Sequence, residues 1–280
     1  MEERIVPQLA ALAHPARLSV FRLLIRRAPD ALRAGEIAAV LGLPASTLSA
    51  HLSHLRQAGL IAEARSGTAR LYRADVEGAA ELVETLVGEC CRGRVASCIP
   101  WWGPLRETRD MSDRRYTALF ICTGNSARSI FAEALLRDLG RDRFDVHSAG
   151  TKPFSELNPL AVALLRDKGH DVSRLRSKTI AEFQGADAPQ FDFVFTVCDR
   201  AANEECPAWP GQPVSAHWGQ PDPVAATGTE AERMLAFQSV YGGLRNRIQA
   251  FLALPLEALD RATLQRRVDD IARLDDTESA

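Results

Sequence analysis

The sequence predicts two domains of different class: a mainly α winged helix-turn-helix unit, then a three-layer α/β unit on a four-stranded parallel sheet. Three observations point there. The chain has 280 residues, more than one ordinary domain needs. Its charge is uneven, with nine Arg against three acids in residues 17–73 but 19 basic and 23 acidic groups in residues 115–280. Apolar spacing of helical period in the front half gives way, from about Arg115, to short apolar runs alternating with helical stretches. Such alternation implies parallel strands joined by crossover helices.

Composition narrows the class further. Hydrophobic content of 46% and charged content of 25% are globular values and exclude a disordered or fibrous chain. A net charge of −2 excludes a polycation. The start, Met-Glu-Glu-Arg, is acidic and lacks the apolar stretch of a secretory signal. The longest apolar runs, Thr117–Cys122 and Phe193–Val197, are too short to span a bilayer. A cytoplasmic chain with no membrane partner and reduced thiols is expected. The six cysteines, at 90, 91, 98, 122, 198 and 206, then read as ligands or nucleophiles rather than bridges.

The elements follow in order. Leu9, Leu12, Ala13, Leu18, Phe21, Leu24 and Ile25 recur at helical spacing over 8–28, interrupted by Pro15. A short helix fits Ala34–Leu41 and closes at Gly42. After Leu43-Pro44, Ser46 or Thr47 caps a helix running to about Ala58 with Leu48, Leu52 and Leu55 inward. Gly59 ends it, Glu63–Arg73 reads as two strands around Ser66-Gly67, and another helix covers about 76–89. Residues 92–114, with Pro100, Gly103 and Pro104, form a linker carrying Cys98. Strands then fit 116–122, 143–148, 191–197 and 213–217, and helices fit 127–139, 158–169, about 229–252 and 256–273. The expected boundaries are 1–91, 92–114, 115–255 and a C-terminal helix and tail at 256–280.

Two short helices joined by a tight turn have the layout of a DNA reader whose second helix enters the major groove. Its outward face offers Ser46, Thr47, Ser49, His51, His54 and Arg56 to base edges and phosphates of double-stranded operator DNA. The hairpin adds Arg65, Arg70 and Arg73 as a basic wing. The stretches Leu12-Ala13-His14-Pro15-Ala16-Arg17-Leu18, Leu43-Pro44-Ala45-Ser46-Thr47-Leu48-Ser49-Ala50-His51-Leu52 and Leu55-Arg56-Gln57-Ala58-Gly59-Leu60-Ile61 resemble the ArsR family of winged-helix repressors. The resemblance implies a homodimer formed by the first and last helices of the domain, released from DNA by an effector. At the start of the first helix-turn-helix element, where many members carry a cysteine motif, this chain has Ala34-Gly35-Glu36-Ile37. The sensor is therefore expected at Cys90, Cys91 and Cys98, three soft thiolates suited to one soft centre. The family likeness implies arsenite or antimonite; zinc would want a fourth ligand.

The second site starts from Phe120-Ile-Cys122-Thr-Gly-Asn-Ser-Ala-Arg128-Ser129, which follows a strand and opens a helix. A bare Cys-x5-Arg arises by chance, so the context supplies the specificity. A short strand-to-helix loop turns backbone N–H groups inward at a positive helix terminus. Thr123, Gly124, Asn125, Ser126 and Ala127 would line this oxyanion cup, and Arg128 would add a planar fork. Such surroundings bring a thiol from ~8.5 to roughly 3.5–7.5, with Ser129 adding a hydrogen bond, so Cys122 is expected as an attacking thiolate. The absence of a Gly-Lys-Ser/Thr ending disfavours a nucleotide.

This segment resembles the low-molecular-weight tyrosine phosphatase fold, and His217-Trp218-Gly219-Gln220-Pro221-Asp222-Pro223 is similar to that family's general-acid loop. The likeness implies that Asp222 protonates the leaving oxygen. The run Val197-Cys198-Asp199-Arg200-Ala201-Ala202-Asn203-Glu204-Glu205-Cys206-Pro207 resembles the redox segment of thioredoxin-coupled arsenate reductases of the same fold. Ala127 stands where some phosphatases of this fold carry a second loop Cys, and Val224 where a Tyr is common in them. The resemblance implies a relay in which Cys122 attacks arsenate, Cys198 attacks Cys122, and Cys206 moves the disulfide out to thioredoxin. No tightly bound cofactor is expected, though related reductases bind potassium and Asn125, Glu133 and Ser148 stand at matching places. The whole reads as an arsenic-responsive repressor fused to an arsenate reductase. A tyrosine phosphatase tethered to a DNA-binding regulator, and a non-catalytic oxyanion sensor, are the alternatives.

Overall fold

Proline decides where the first helices break. The computed structural model describes residues 2–87, 115–154, 156–185, 187–204 and 209–274. In it the helical spacing over 8–28, interrupted by Pro15, falls on two helices, α1 (Glu2–Leu12) and α2 (Pro15–Arg26). Pro15 opens α2, where its missing N–H is no loss, and His14 Nδ1 accepts from the Ala16 N–H at 3.2 Å. The chain divides into two units, Met1–Arg109 and Asp110–Ala280.

The first unit continues through β1 (Leu32–Arg33), α3 (Ala34–Leu41), α4 (Ala45–Gln57), β2 (Ile61–Ser66), β3 (Ala69–Ala74) and α5 (Val76–Thr85). Gly42 closes α3 in the left-handed conformation at φ 64°. Pro44, not Ser46 or Thr47, takes the N-cap position of α4, so both hydroxyls lie in its first turn. The antiparallel sheet runs β1-β3-β2. Strand β1 escaped the sequence reading because two residues show no alternation. Val20, Leu23, Leu24, Ile37, Leu48, Leu52 and Leu55 fill the core beneath it. A methyl group at Gly78 would meet the Gly59 carbonyl oxygen at 2.3 Å, so only glycine lets α5 lie on the turn after α4. Gln8 Nε2 donates to the Gly78 carbonyl at 3.1 Å and ties α1 to α5. Cys90, Cys91 and Cys98, with the expected linker, lie outside the described residues.

The second unit contains β4 (Tyr116–Cys122), α6 (Arg128–Gly140), β5 (Phe144–Gly150), α7 (Pro159–Asp167), β6 (Phe193–Thr196), α8 (Asp199–Asn203), β7 (Val214–His217), α9 (Glu230–Leu252) and α10 (Arg261–Ile271). Its four strands are all parallel, in the order β5-β4-β6-β7. The chain winds from β4 to β5 on one side and returns with β6 on the other, so the topological switch falls between β4 and β6. Ile121 pairs with Thr196 there, which sets the residues leaving the two strands side by side. Ala118 through Cys122 are all buried, as befits a parallel strand covered on both faces. Phe120 stacks on Phe195 at 5.3 Å and Phe195 on Trp218 at 4.0 Å, with Phe251 edge-on to both Phe195 and Trp218.

The C-terminal helix expected at 256–273 is shorter and is no appended tail. It starts after Asp260, whose Oδ1 accepts from the Thr263 N–H at 2.9 Å. Leu264, Val268 and Ile271 are buried in the same core, and Trp218 Nε1 donates to the Val268 carbonyl at 3.2 Å. Among the described residues no helix is long and apolar enough to cross a membrane.

Burial in this helix pushes the Asp269 carboxyl up to about 6, against the opposing hydrogen bond from Gln265. The folded chain therefore holds a proton that the unfolded chain releases, and stability falls as pH climbs from about 4 to about 6. Asp269→Asn is expected to stabilise the protein by about 1–2 kcal/mol at pH 7.5, discounted for partial exposure, and to change little at pH 4.5. Thermal denaturation at both pH values checks this; equal shifts at the two would refute it.

Candidate functional site

Helical spacing sorts the residues of α4. Ser46, Thr47, Ser49, His54 and Arg56 are exposed, as are Arg65, Arg70 and Arg73 on the hairpin. His51 is a correction: it is buried, and its ring lies 4.8 Å from that of His14. It falls between Leu48 and Leu55 on the inward stripe, and burial, then the His14 and Arg17 charges, lower its pKa. Glu63 holds Arg56 at 3.0 Å and Arg70 at 3.4 Å, so these two guanidiniums are tethered rather than loose. Arg65 and Arg70 stand directly opposite each other in the β2–β3 register. Like charges so placed repel, and an anion between them would relieve that.

In the second unit the loop from β4 to α6 is shaped from outside. The carbonyls of Cys122, Thr123, Gly124 and Ser126 accept from the amides of Thr151 (3.1 Å), Lys152 (2.9 Å), Phe154 (2.9 Å) and Asn158 (3.0 Å). In a trans peptide the following N–H points the opposite way. The amides of Thr123, Gly124, Asn125 and Ala127 therefore face inward, and that of Asn125 donates to Cys122 Sγ at 3.1 Å. Asn125, not Gly124, adopts the left-handed conformation, at φ 44°. Gly124 is needed for space: a methyl there would sit 2.5 Å from the Phe154 ring.

Asn125 is fixed on three sides. Its Oδ1 accepts from the Lys178 N–H at 2.7 Å, which sets the amide orientation. Its Nδ2 then donates to Ser129 Oγ and Ser148 Oγ, both at 2.8 Å. Ser129 Oγ lies 2.9 Å from Cys122 Sγ and, already accepting from Asn125, has its own hydrogen to give to sulfur.

Arg128 opens α6 and reaches over the cup, donating to the Gln220 carbonyl at 3.2 Å and pairing with Asp222 Oδ2 at 3.1 Å. Cys122, Arg128 and Asp222 thus share one cavity of about 360 Å³ with Phe154, Arg200 and Val224 at its wall. Cys198 follows β6 and caps α8, its Sγ accepting from the Ala201 N–H at 3.4 Å and lying 3.5 Å from Thr123 Oγ1. Both sulfurs are free and buried. His217 brackets Cys198, with Nδ1 2.8 Å from Thr196 Oγ1 and Nε2 3.1 Å from Asp199 Oδ1. Helix α8 stops at Asn203; Cys206 lies outside the described residues.

The electrostatics of Cys122 reverse the expectation of a depressed thiol. Burial pushes it up, the neighbouring Cys198 pushes the same way, and Ser129 and Arg128 pull it down less strongly. The guanidinium that would oppose burial is shared with the Asp222 carboxylate.

Asn125, Glu133 and Ser148 do come together, with Ser148 donating to Glu133. They do not fit a potassium ion. Lys178 Nζ lies 3.0 Å from Glu133 Oε2, and Arg137 pairs with Oε1, so the carboxylate is already compensated. Lys178 and Phe154 were missed from sequence because each reaches the loop from a distant segment with no local pattern.

A helix-turn-helix domain model matches residues 12–64. The arsenate reductase of Halalkalibacterium halodurans is 39% identical over 132 residues, covering 47% of this chain and 91% of that protein. The arsenate reductase of Bacillus subtilis (strain 168) gives the same figures. A solved structure described as an arsenate reductase in the oxidized state is 27% identical, covers 49% of this chain and 96% of the other, and superposes with a TM-score of 0.41. The model for low molecular weight phosphotyrosine protein phosphatase matches residues 117–267, more than half of the chain, and to that family, with a helix-turn-helix domain ahead of it, this protein belongs.

Proposed function

We propose that the second unit reduces arsenate to arsenite through Cys122, Cys198 and Cys206, and that the first is a dimeric repressor released from operator DNA by arsenite at Cys90, Cys91 and Cys98. The observation that carries the catalytic half is the second buried thiol. Ester hydrolysis in such a cup uses one sulfur, an arginine and an acid, whereas Cys198 sits across Thr123 from the nucleophile. Relatives 39% identical over this unit are named arsenate reductases.

The chemistry balances with two electrons. Arsenate enters among the inward amides and takes Arg128 from Asp222. Cys122, pushed up by burial, passes its proton to the bound oxyanion and attacks arsenic. Asp222 gives a proton to the departing oxygen, which leaves as water. Cys198 then attacks the Cys122 sulfur, and the S–As electron pair stays on arsenic, converting As(V) to As(III). Cys206 attacks Cys198, returning Cys122 as a thiol, and a dithiol protein such as thioredoxin reduces the 198–206 disulfide.

For the regulatory half, the opposed Arg65 and Arg70 and the exposed hydroxyls of α4 supply phosphate and base contacts. Val6 and Leu9 on α1 and Val76 and Val83 on α5 are exposed apolar residues suited to a second copy.

Phosphate-ester hydrolysis is the second reading, favoured by the family itself and needing only Cys122, Arg128 and Asp222. Cys198→Ser separates the two. Arsenate-dependent oxidation of thioredoxin is expected to fall about a thousandfold or more, while 4-nitrophenyl phosphate hydrolysis stays within about threefold. Undiminished arsenate turnover in this variant would defeat the relay, and the absence of arsenate turnover in the parent would leave the phosphatase.

A further inference from the structure

Beneath the cup lies an ion pair that no chemical step touches. Lys178 Nζ is 3.0 Å from Glu133 Oε2, with side chains 7% and 4% exposed. The same ammonium donates to the Arg176 carbonyl at 3.0 Å. From this pair an unbroken set of hydrogen bonds climbs to the sulfur. Ser148 donates to Glu133. Asn125 Nδ2 donates to Ser148 and to Ser129, and Ser129 contacts Cys122 Sγ. The backbone N–H of Lys178 closes the loop by donating to Asn125 Oδ1.

A carboxylate this deep is tolerated only with a compensating cation held at hydrogen-bond distance. A dissolved ion would do that reversibly; an ammonium on the chain does it permanently. Arg137 pairs with the outer oxygen, Oε1, leaving Oε2 to Lys178 and Ser148. The oxygen that orients the Asn125 network is thus the one Lys178 neutralises.

We infer that Lys178 is a positioning residue whose ammonium is the built-in counter-ion of the Cys122 loop, so that oxyanion binding needs no potassium or other dissolved monovalent cation. The inference rests on the cup being an oxyanion site, and it is tested with inorganic phosphate so that it stands or falls apart from reductase turnover.

Phosphate binding to the full chain is measured calorimetrically in potassium, sodium and tetramethylammonium chloride at equal ionic strength. The parent is expected to give Kd values within about twofold of one another. Lys178→Ser is expected to bind about tenfold more weakly in tetramethylammonium chloride and to regain affinity with potassium or methylammonium. Parent affinity that rises more than about threefold with potassium, or a Lys178→Ser protein that binds as tightly as the parent in every salt, overturns the inference. If Lys178→Ser does not fold, Lys178→Met combined with Glu133→Gln removes both charges. That protein is expected to bind phosphate more weakly in all three salts, and parent-like affinity with a parent-like rate of Cys122 alkylation by iodoacetamide overturns the inference equally. Lost arsenate turnover with phosphate binding intact counts against the reductase reading, not against Lys178.

Discussion

Asn125→Ala is expected to lower stability by about 3 kcal/mol and oxyanion turnover by roughly two to three orders of magnitude. Alanine at φ 44° loses about 1–2 kcal/mol against asparagine-compatible backbone. The truncation also strands the Lys178 N–H and removes the donor shared by Ser129 and Ser148, all in a buried site where each unmet group costs about 1–3 kcal/mol. Relaxation around the small cavity recovers part of that sum. Activity falls further than stability because Ser129, whose Oγ lies 2.9 Å from Cys122 Sγ, loses the Asn125 Nδ2 donor that aims its own hydrogen at the sulfur. Asn125→Gly isolates the two effects: it relieves the backbone but not the stranded partners, so its stability should recover partly and its activity hardly at all. Thermal denaturation and kcat/KM decide it, and an Asn125→Ala protein that melts with the parent would refute the account.

Arg128→Lys is expected to reduce kcat/KM by about a hundredfold or more while leaving Tm nearly unchanged. The two terminal nitrogens of Arg128 reach separate partners, Gln220 and Asp222, across the mouth of the cavity. An ammonium holds one of these at a time and presents a point charge where two oxyanion oxygens need a fork. The side chain is only 13% exposed yet sits at a helix start rather than in the core, so its loss disturbs little packing. Steady-state kinetics with phosphate as competitive inhibitor check this; a kcat/KM within about fivefold of the parent would refute it.

The sequence-based reading worked where chemistry is local. The Cys122–Ser129 run carries its own strand, loop and helix start, and the four parallel strands follow from period and spacing. It erred where a residue's meaning depends on which way it faces. His51 reads as DNA-facing by residue type, yet Leu48, Leu52 and Leu55 define a buried stripe that includes it. The upward shift of Cys122 is hidden from its motif, which displays the amides and Arg128, whereas burial and the proximity of Cys198 arise only when β6 pairs with β4. The family likeness offers Asn125, Glu133 and Ser148 to potassium, but nothing local marks Lys178, 45 residues from Glu133, as the partner that reaches the same carboxylate. The same limit hid Phe154, which matters only because Gly124 passes beneath it.

The four outward carbonyls clamped by Thr151, Lys152, Phe154 and Asn158 carry a thermodynamic consequence. Inward donors braced from behind need no rearrangement when an anion arrives, so the ordering entropy of the cup is settled at folding rather than at each encounter. Affinity then depends on how well an anion matches a fixed concavity, and tetrahedral anions of similar size compete for it on nearly equal terms.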